Sequence, residues 1–177
     1  DTVGPTYPFR LHLGPTTSEG TGPESGVFGD TDYFWYAEAS RPRLPGDVFT
    51  LQYSGASCQA DIVWFVEFYY HMRGISIGTL RLVTGKGSSR WFRTGQQKGG
   101  WRHDRVAVYA PTFRFEYEHG VGFAGDAAIA QVSVRAAGTT AQATAAARAT
   151  SDTACPSSAA SATFFAAVPA TPTQLPA

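Results

Sequence analysis

The chain has 177 residues, 43% of them hydrophobic and 14% aromatic, enough apolar material for one substantial core. Fourteen basic and fourteen acidic residues cancel, and no basic stripe alternates with aromatics, so the electrostatic footprint of a nucleic-acid binder is missing and nucleic acid is excluded as a partner. No apolar run reaches the roughly 20 residues that span a bilayer, and the start at Asp1, without a charged leader and apolar signal core, reads as a processed or excised chain.

From the N-terminus, apolar alternation punctuated by Gly and Pro marks strands at Tyr7 to Leu13, Thr31 to Ala39, Asp47 to Tyr53, Asp61 to Met72, Ser76 to Thr84, Ser89 to Thr94, Trp101 to Tyr109, Thr112 to His119 and Ala127 to Arg135. Turns such as Arg43-Leu44-Pro45-Gly46 and Gly85-Lys86-Gly87 separate them. In the strand near residue 115, Phe113, Phe115 and Tyr117 share one face while Arg114, Glu116 and Glu118 share the other, the period of a half-buried strand. Ile62 to Tyr70 is apolar nearly throughout, which predicts a central strand covered on both sides, with Glu67 as the exception. Helical periodicity and βαβ units are absent, so the fold class is all-β: an antiparallel β-sandwich with an extended C-terminal tail. Its expected interior is Phe65, Phe68, Tyr70, Leu80, Leu82, Trp91, Val106, Phe115 and Ile129.

After Ala136 the composition changes to Ala, Thr, Ser and Pro with almost no charge, so the domain is set at 1–136 and a low-complexity tail at 137–177. Ala136 to Thr150 is rich enough in Ala for a helix, but Gly138 and repeated Thr oppose one, and Pro156 onward excludes a long helix. An extended tail follows. With no Asn in the chain, an N-linked glycan is impossible. The Ser, Thr and Pro of the tail suit O-glycosylation, and the segment resembles hydroxyproline-rich stretches of algal and plant surface glycoproteins.

Several blocks, in order, resemble one family. Thr21-Gly22-Pro23 with Tyr33 to Ser40 is similar to the "TGP … G-x-Y-x-Y-x-E-A-S" opening of MAM domains, named for meprin, the A5 antigen and receptor phosphatase mu. Phe68 to Gly74 followed by Ile77 to Leu80 resembles the family's "F-x-Y-H-M-x-G … x-G-x-L". Arg90-Trp91-Phe92, Gly95-Gln96-Gln97 and Trp101 match its "W … G-x-Q … W", and Gly125-Asp126 to Val134 its closing "G-D-I-A-I-D-D-V-S". The resemblance covers about Phe9 to Arg135 and implies a jelly-roll sandwich used outside cells for adhesion and protein association. Each block also has a scaffold reading. Gly74 permits a reversal after His71 and Met72, and Trp91 and Trp101, flanking a Gly-rich hairpin, are expected to stack across two strands.

The chain departs from the family in specific places. No Cys precedes Thr21, so the family's first disulfide and its Cys-bearing first strand are missing; Phe65 stands where a Cys is expected, and Ala130 and Gln131 replace two acidic residues. By spacing, Cys58 and Cys155 fit one disulfide or two unrelated buried thiols equally well. The family closes its domain by bonding the end of its last strand to the start of the central one, which implies a Cys58 to Cys155 bond. In the chain-entropy model such a loop is worth about 4.7 kcal/mol at most.

Reactive constellations are sparse. There is no G-x-S-x-G elbow and no reactive setting for a cysteine, so catalytic residues are not assigned and the chain is read as not an enzyme. His12, His71, His103 and His119 lack zinc-site spacing. Glu116 and Glu118 share a face as the acid pair of a jelly-roll glycosidase would, against the plainer reading of a solvated face with Arg114 as partner. Asp30, Asp32, Asp47 and Asp126 sit at loop ends and are the candidate ligands for Ca²⁺, although loop aspartates mostly cap turns; no other cofactor is implied. The functional expectation is a secreted or cell-surface, non-catalytic module that binds surface proteins or copies of itself. Its alternative is a glycan-binding module using Trp35, Trp64, Trp91 and Trp101.

Overall fold

The computed structural model describes residues 6–53, 62–136, 139–142 and 164–166. Every regular element among them is a strand: β1 (Thr6–Pro8), β2 (Arg10–Leu13), β3 (Tyr33–Ala37), β4 (Val48–Tyr53), β5 (Val63–Met72), β6 (Thr79–Thr84), β7 (Ser89–Thr94), β8 (Arg102–Ala110), β9 (Phe113–Glu118), β10 (Ala127–Ala136), β11 (Thr139–Gln142) and β12 (Phe164–Ala166). They form two sheets, one in the order β1-β4-β9-β6-β7 with β12 also on β4, the other in the order β2-β3-β10-β5-β8 with β11 also on β10. All pairings are antiparallel except that of β1 with β4. The two inner faces close into one core, so the chain is a jelly-roll β-sandwich.

The first predicted strand divides at Phe9. β1 lies along β4 in one sheet, β2 along β3 in the other, and Phe9 is buried where the chain crosses between layers, with its amide donating to the Thr50 carbonyl. Alternation then fills the interior. Phe49 and Leu51 of β4, Leu80 and Leu82 of β6, and Phe113, Phe115 and Tyr117 of β9 meet Val66, Phe68, Tyr70 and Met72 of β5. Phe68 sits at the centre, its ring centroid 4.8 Å from Phe115 and 5.0 Å from Trp91. Tyr53 and Phe113 stack at 4.8 Å. On the outer face of the β9 sheet, Arg114 pairs with Glu116 at 2.6 Å and Arg81 with Glu118 at 2.8 Å.

Three expectations are corrected. Phe65 is only half-buried: register shifts next to it, against both β8 and β10, turn Val63 inward and send Phe65 outward, where it lies under the Arg105 guanidinium at 4.3 Å. β5 lies between β10 and β8, but its outer face is covered toward its C-terminal end, where His71 is buried, while Trp64 is exposed. Trp91 and Trp101 do not stack. β7 and β8 belong to different sheets, so Trp91 enters the main core while Trp101 covers a small outer cluster of Phe34, Tyr36, Ala128 and Ala130. Cys58 and Cys155 lie outside the described residues, whereas β11 and β12, beyond residue 136, each add a strand to a sheet.

Candidate functional site: the loop end of the sandwich

The sequence blocks that carry the resemblance converge at one end. Here β3 and β5 finish and β10 begins, and a long loop after β2 brings Thr21 across to them. The Thr21 hydroxyl donates to the Arg73 carbonyl at 2.9 Å and accepts the Asp126 amide at 2.8 Å; the Gly22 amide donates to the same Arg73 carbonyl at 3.2 Å. Gly74 is required at this junction. Its φ is 145°, and a Cβ would run into the Ala124 carbonyl. Gln97 closes the neighbouring turn, its amide donating to the Met72 carbonyl at 2.7 Å and its side chain to the Thr94 and Gly95 carbonyls at 3.2 Å.

Asp126 lies under this platform, fully buried. One carboxyl oxygen accepts the Ala39 amide at 2.8 Å, and the other has no hydrogen-bond partner. Burial pushes its pKa up to about 7, against the opposing effect of the Ala39 bond, and the nearby Glu38 charge adds to the rise. Glu38 goes the other way: despite burial, which raises it, the Ser40 amide and hydroxyl and the Tyr36 hydroxyl hold it below its ordinary value. Tyr36 rises to about 12, through burial first and Glu38 second. His71 is buried against the Trp101 ring at 5.4 Å with Nδ1 unpartnered, and burial, then Arg73, pulls it down to about 4.

Above the platform stand three mutually bonded loops. His119 is buried, one ring nitrogen 2.9 Å from the Leu44 carbonyl and the other 3.0 Å from that of Gly122, so it ties the β3–β4 loop to the β9–β10 loop. The Ser76 amide donates to the Ala124 carbonyl at 3.0 Å, joining the β5–β6 loop to the same unit. Tyr117 completes the frame, accepting the Gly78 amide at 2.9 Å and donating to the Gly125 carbonyl. Buried, its hydroxyl is raised well above its ordinary range. These loops hold four large apolar side chains out in solvent: Leu44 is 64% exposed, Ile75 92%, Val121 77% and Phe123 62%. A backbone bonded this densely keeps them projecting instead of letting them fold inward.

The candidates named from sequence fall in separate places. Asp32 accepts the Phe28 amide at 2.7 Å and Asp47 the Leu44 amide at 2.9 Å, both as turn caps; Asp30 is exposed and Asp126 is buried in the platform. Among the described residues no group of three or more His, Cys, Asp or Glu side chains converges to hold a metal. Glu116 and Glu118 are each engaged by an arginine. Of the four tryptophans, Trp91 donates to Asp104 at 2.8 Å and Trp101 to the Ser25 carbonyl at 2.9 Å, Trp35 packs against the core, and Trp64 faces solvent. They do not form one platform. The apolar loop tip went unread because its residues are far apart in sequence; the available signal was Val121 and Phe123 set among glycines in Gly120 to Gly125.

No family model matches the chain. It is 31% identical over 135 residues to the MAM domain-containing glycosylphosphatidylinositol anchor protein 1 of Gallus gallus, a match of 71% of this chain and 14% of that protein. To the Homo sapiens protein of the same name it is 32% identical over 136 residues, again 71% of this chain and 14% of the relative. The Homo sapiens MAM domain-containing glycosylphosphatidylinositol anchor protein 2 is 31% identical over 131 residues, 64% of this chain and 14% of that protein. The chain therefore spans about a seventh of the length of these curated relatives.

Proposed function

The chain carries a divergent MAM domain, and from that premise we propose that it works outside the cell or at its surface as a non-catalytic adhesion or assembly module. The observation that supports this best is the loop end, where Leu44, Ile75, Val121 and Phe123 project from bonded loops that stand on a platform built by the family's own sequence blocks. Large apolar side chains held in water by an ordered backbone mark a contact surface. The partner is another surface protein or a second copy of this chain. The relatives are named as glycosylphosphatidylinositol anchor proteins, and a chain held by such an anchor would meet other surface molecules.

The test is association of the purified chain. Sedimentation velocity over a wide concentration range should show self-association, or crosslinking on intact cells should recover a discrete surface protein. Changing Ile75 and Phe123 together to Ser should abolish the interaction while far-UV circular dichroism and thermal midpoint stay within a few degrees of the parent. A chain that stays monomeric and recovers no surface protein, or an interaction untouched by that double change, overturns the proposal.

A further inference from the structure

A second surface lies along β7, an edge strand of its sheet, and only its far end, at Thr94 and Gln97, adjoins the β5–β6 loop, through the Gly95 amide on the Gly78 carbonyl at 2.9 Å. Ser89, Arg90, Trp91, Phe92, Arg93, Thr94 and Gln97 line a cleft of about 710 Å³ there. Its lining holds two guanidinium groups and no carboxylate. Lys98 and Arg102 stand on the adjoining loop and strand, joined by the Arg102 guanidinium donating to the Lys98 carbonyl at 2.8 Å. Asp104 is the acid beside this group, and it is occupied by Arg93 at 2.7 Å and by the Trp91 indole at 2.8 Å. The Arg90 side chain is exposed and makes no hydrogen bond or ion pair among the described residues. In a chain of zero net charge, this edge therefore holds a local excess of cations.

Edge strands commonly accept another strand, but here side chains already engage the backbone. The Ser89 hydroxyl donates to the Trp91 carbonyl at 3.3 Å, Arg93 to that of Phe92 at 3.0 Å, and Gln97 to that of Thr94 at 3.2 Å. What remains open is a side-chain surface: the Phe92 ring, 61% exposed, beside the unpaired Arg90 guanidinium. The Ser89 and Thr94 hydroxyls in the same lining each hold one protein partner, the Trp91 carbonyl and the Thr79 hydroxyl, and keep capacity for another. A flat ring takes the C–H face of a pyranose, hydroxyls exchange hydrogen bonds with sugar hydroxyls, and a guanidinium clamps a carboxylate or sulfate.

We propose that the β7 edge is a binding site for an acidic saccharide, a chain carrying uronate or sulfate groups, with Arg90 as its anion contact and Phe92 as its stacking surface. Its two proposed ligand contacts are distinct from the apolar loop-tip residues Leu44, Ile75, Val121 and Phe123.

Titration calorimetry of the full chain with four probes decides it: an oligogalacturonate, a sulfated oligosaccharide of equal length, a neutral oligoglucose and poly-glutamate. One or both acidic saccharides should bind, and which of them does so identifies the anionic group. Binding should weaken strongly between about 50 and about 500 mM salt. Arg90→Gln and Phe92→Ala should each lower affinity by about tenfold, whereas Arg135→Gln, on the outer face of the other sheet, should leave it unchanged. No binding by either acidic saccharide overturns the proposal. So does poly-glutamate or oligoglucose binding as tightly as they do, or affinity that survives both the Arg90 and the Phe92 changes.

Discussion

Asp126, just before β10, and His71, near the end of the adjoining β5, bear opposite consequences of burial at one end of the sandwich. With its pKa raised to about 7, Asp126 binds a proton in the folded chain that the unfolded chain releases near 3.8, so its contribution to stability falls as pH rises through that window. His71, lowered to about 4, stays neutral in the folded chain while the unfolded chain protonates near 6.5, so its contribution rises with pH from about 4 to 6.5. Between pH 5 and 6.5 the two slopes oppose each other. Urea unfolding across that interval should give a nearly flat profile for the parent. Asp126→Asn should make stability rise with pH, and His71→Gln should make it fall, each by up to about 1.4 kcal/mol per pH unit. A parallel shift of all three profiles would show that neither group titrates as its burial requires. As a loop-end acid Asp126 was visible in the sequence, but its setting depends on Thr21 and Ala39, which reach it from two distant segments.

Within single strands and turns, the sequence reading was most accurate where a period of two met one uniform neighbour. β9 alternates as expected, Phe113, Phe115 and Tyr117 in and the charged residues out. β5 does so only after its irregular start, which is why Phe68 is inside and Phe65 is not. Phe68→Ala should therefore destabilise the chain by roughly 3–5 kcal/mol in chemical denaturation, since Phe115, Trp91 and Tyr70 all pack on its ring. A loss below about 1 kcal/mol would mean that this face is not core. The turn after β5 gives a sharper case. Gly74→Ala meets both an unfavourable φ and the Ala124 carbonyl, so it should cost at least about 1–3 kcal/mol, measured as a lower denaturation midpoint. Glycine here was readable from the reversal it permits; the carbonyl it avoids was not, because Ala124 arrives from another loop.

Across the molecule, β12 brings the C-terminal region back to the sandwich, Phe164 opposite Tyr53 on β4. Cys58 follows Tyr53 by five residues and Cys155 precedes Phe164 by nine, spans of at most about 18 and about 32 Å when extended, so the pairing brings the flanks of both cysteines to the same edge. We expect non-reducing peptide mapping of oxidised protein to recover Cys58 linked to Cys155. Two free thiols, or Cys155 joined to another molecule, would exclude the bridge. Strand content, the positions of most turns, the alternation of β9 and the order of the family's blocks were all readable along the chain, because each depends on residues a few positions apart. Which sheet a strand joins was not. The split at Phe9, the separation of β7 from β8, the coverage of one end of β5 and the outward projection of Ile75 and Phe123 depend on pairing and packing between remote segments. A period of two assigns alternate side chains to opposite faces of a strand, but it carries no information about which other layer will cover either face.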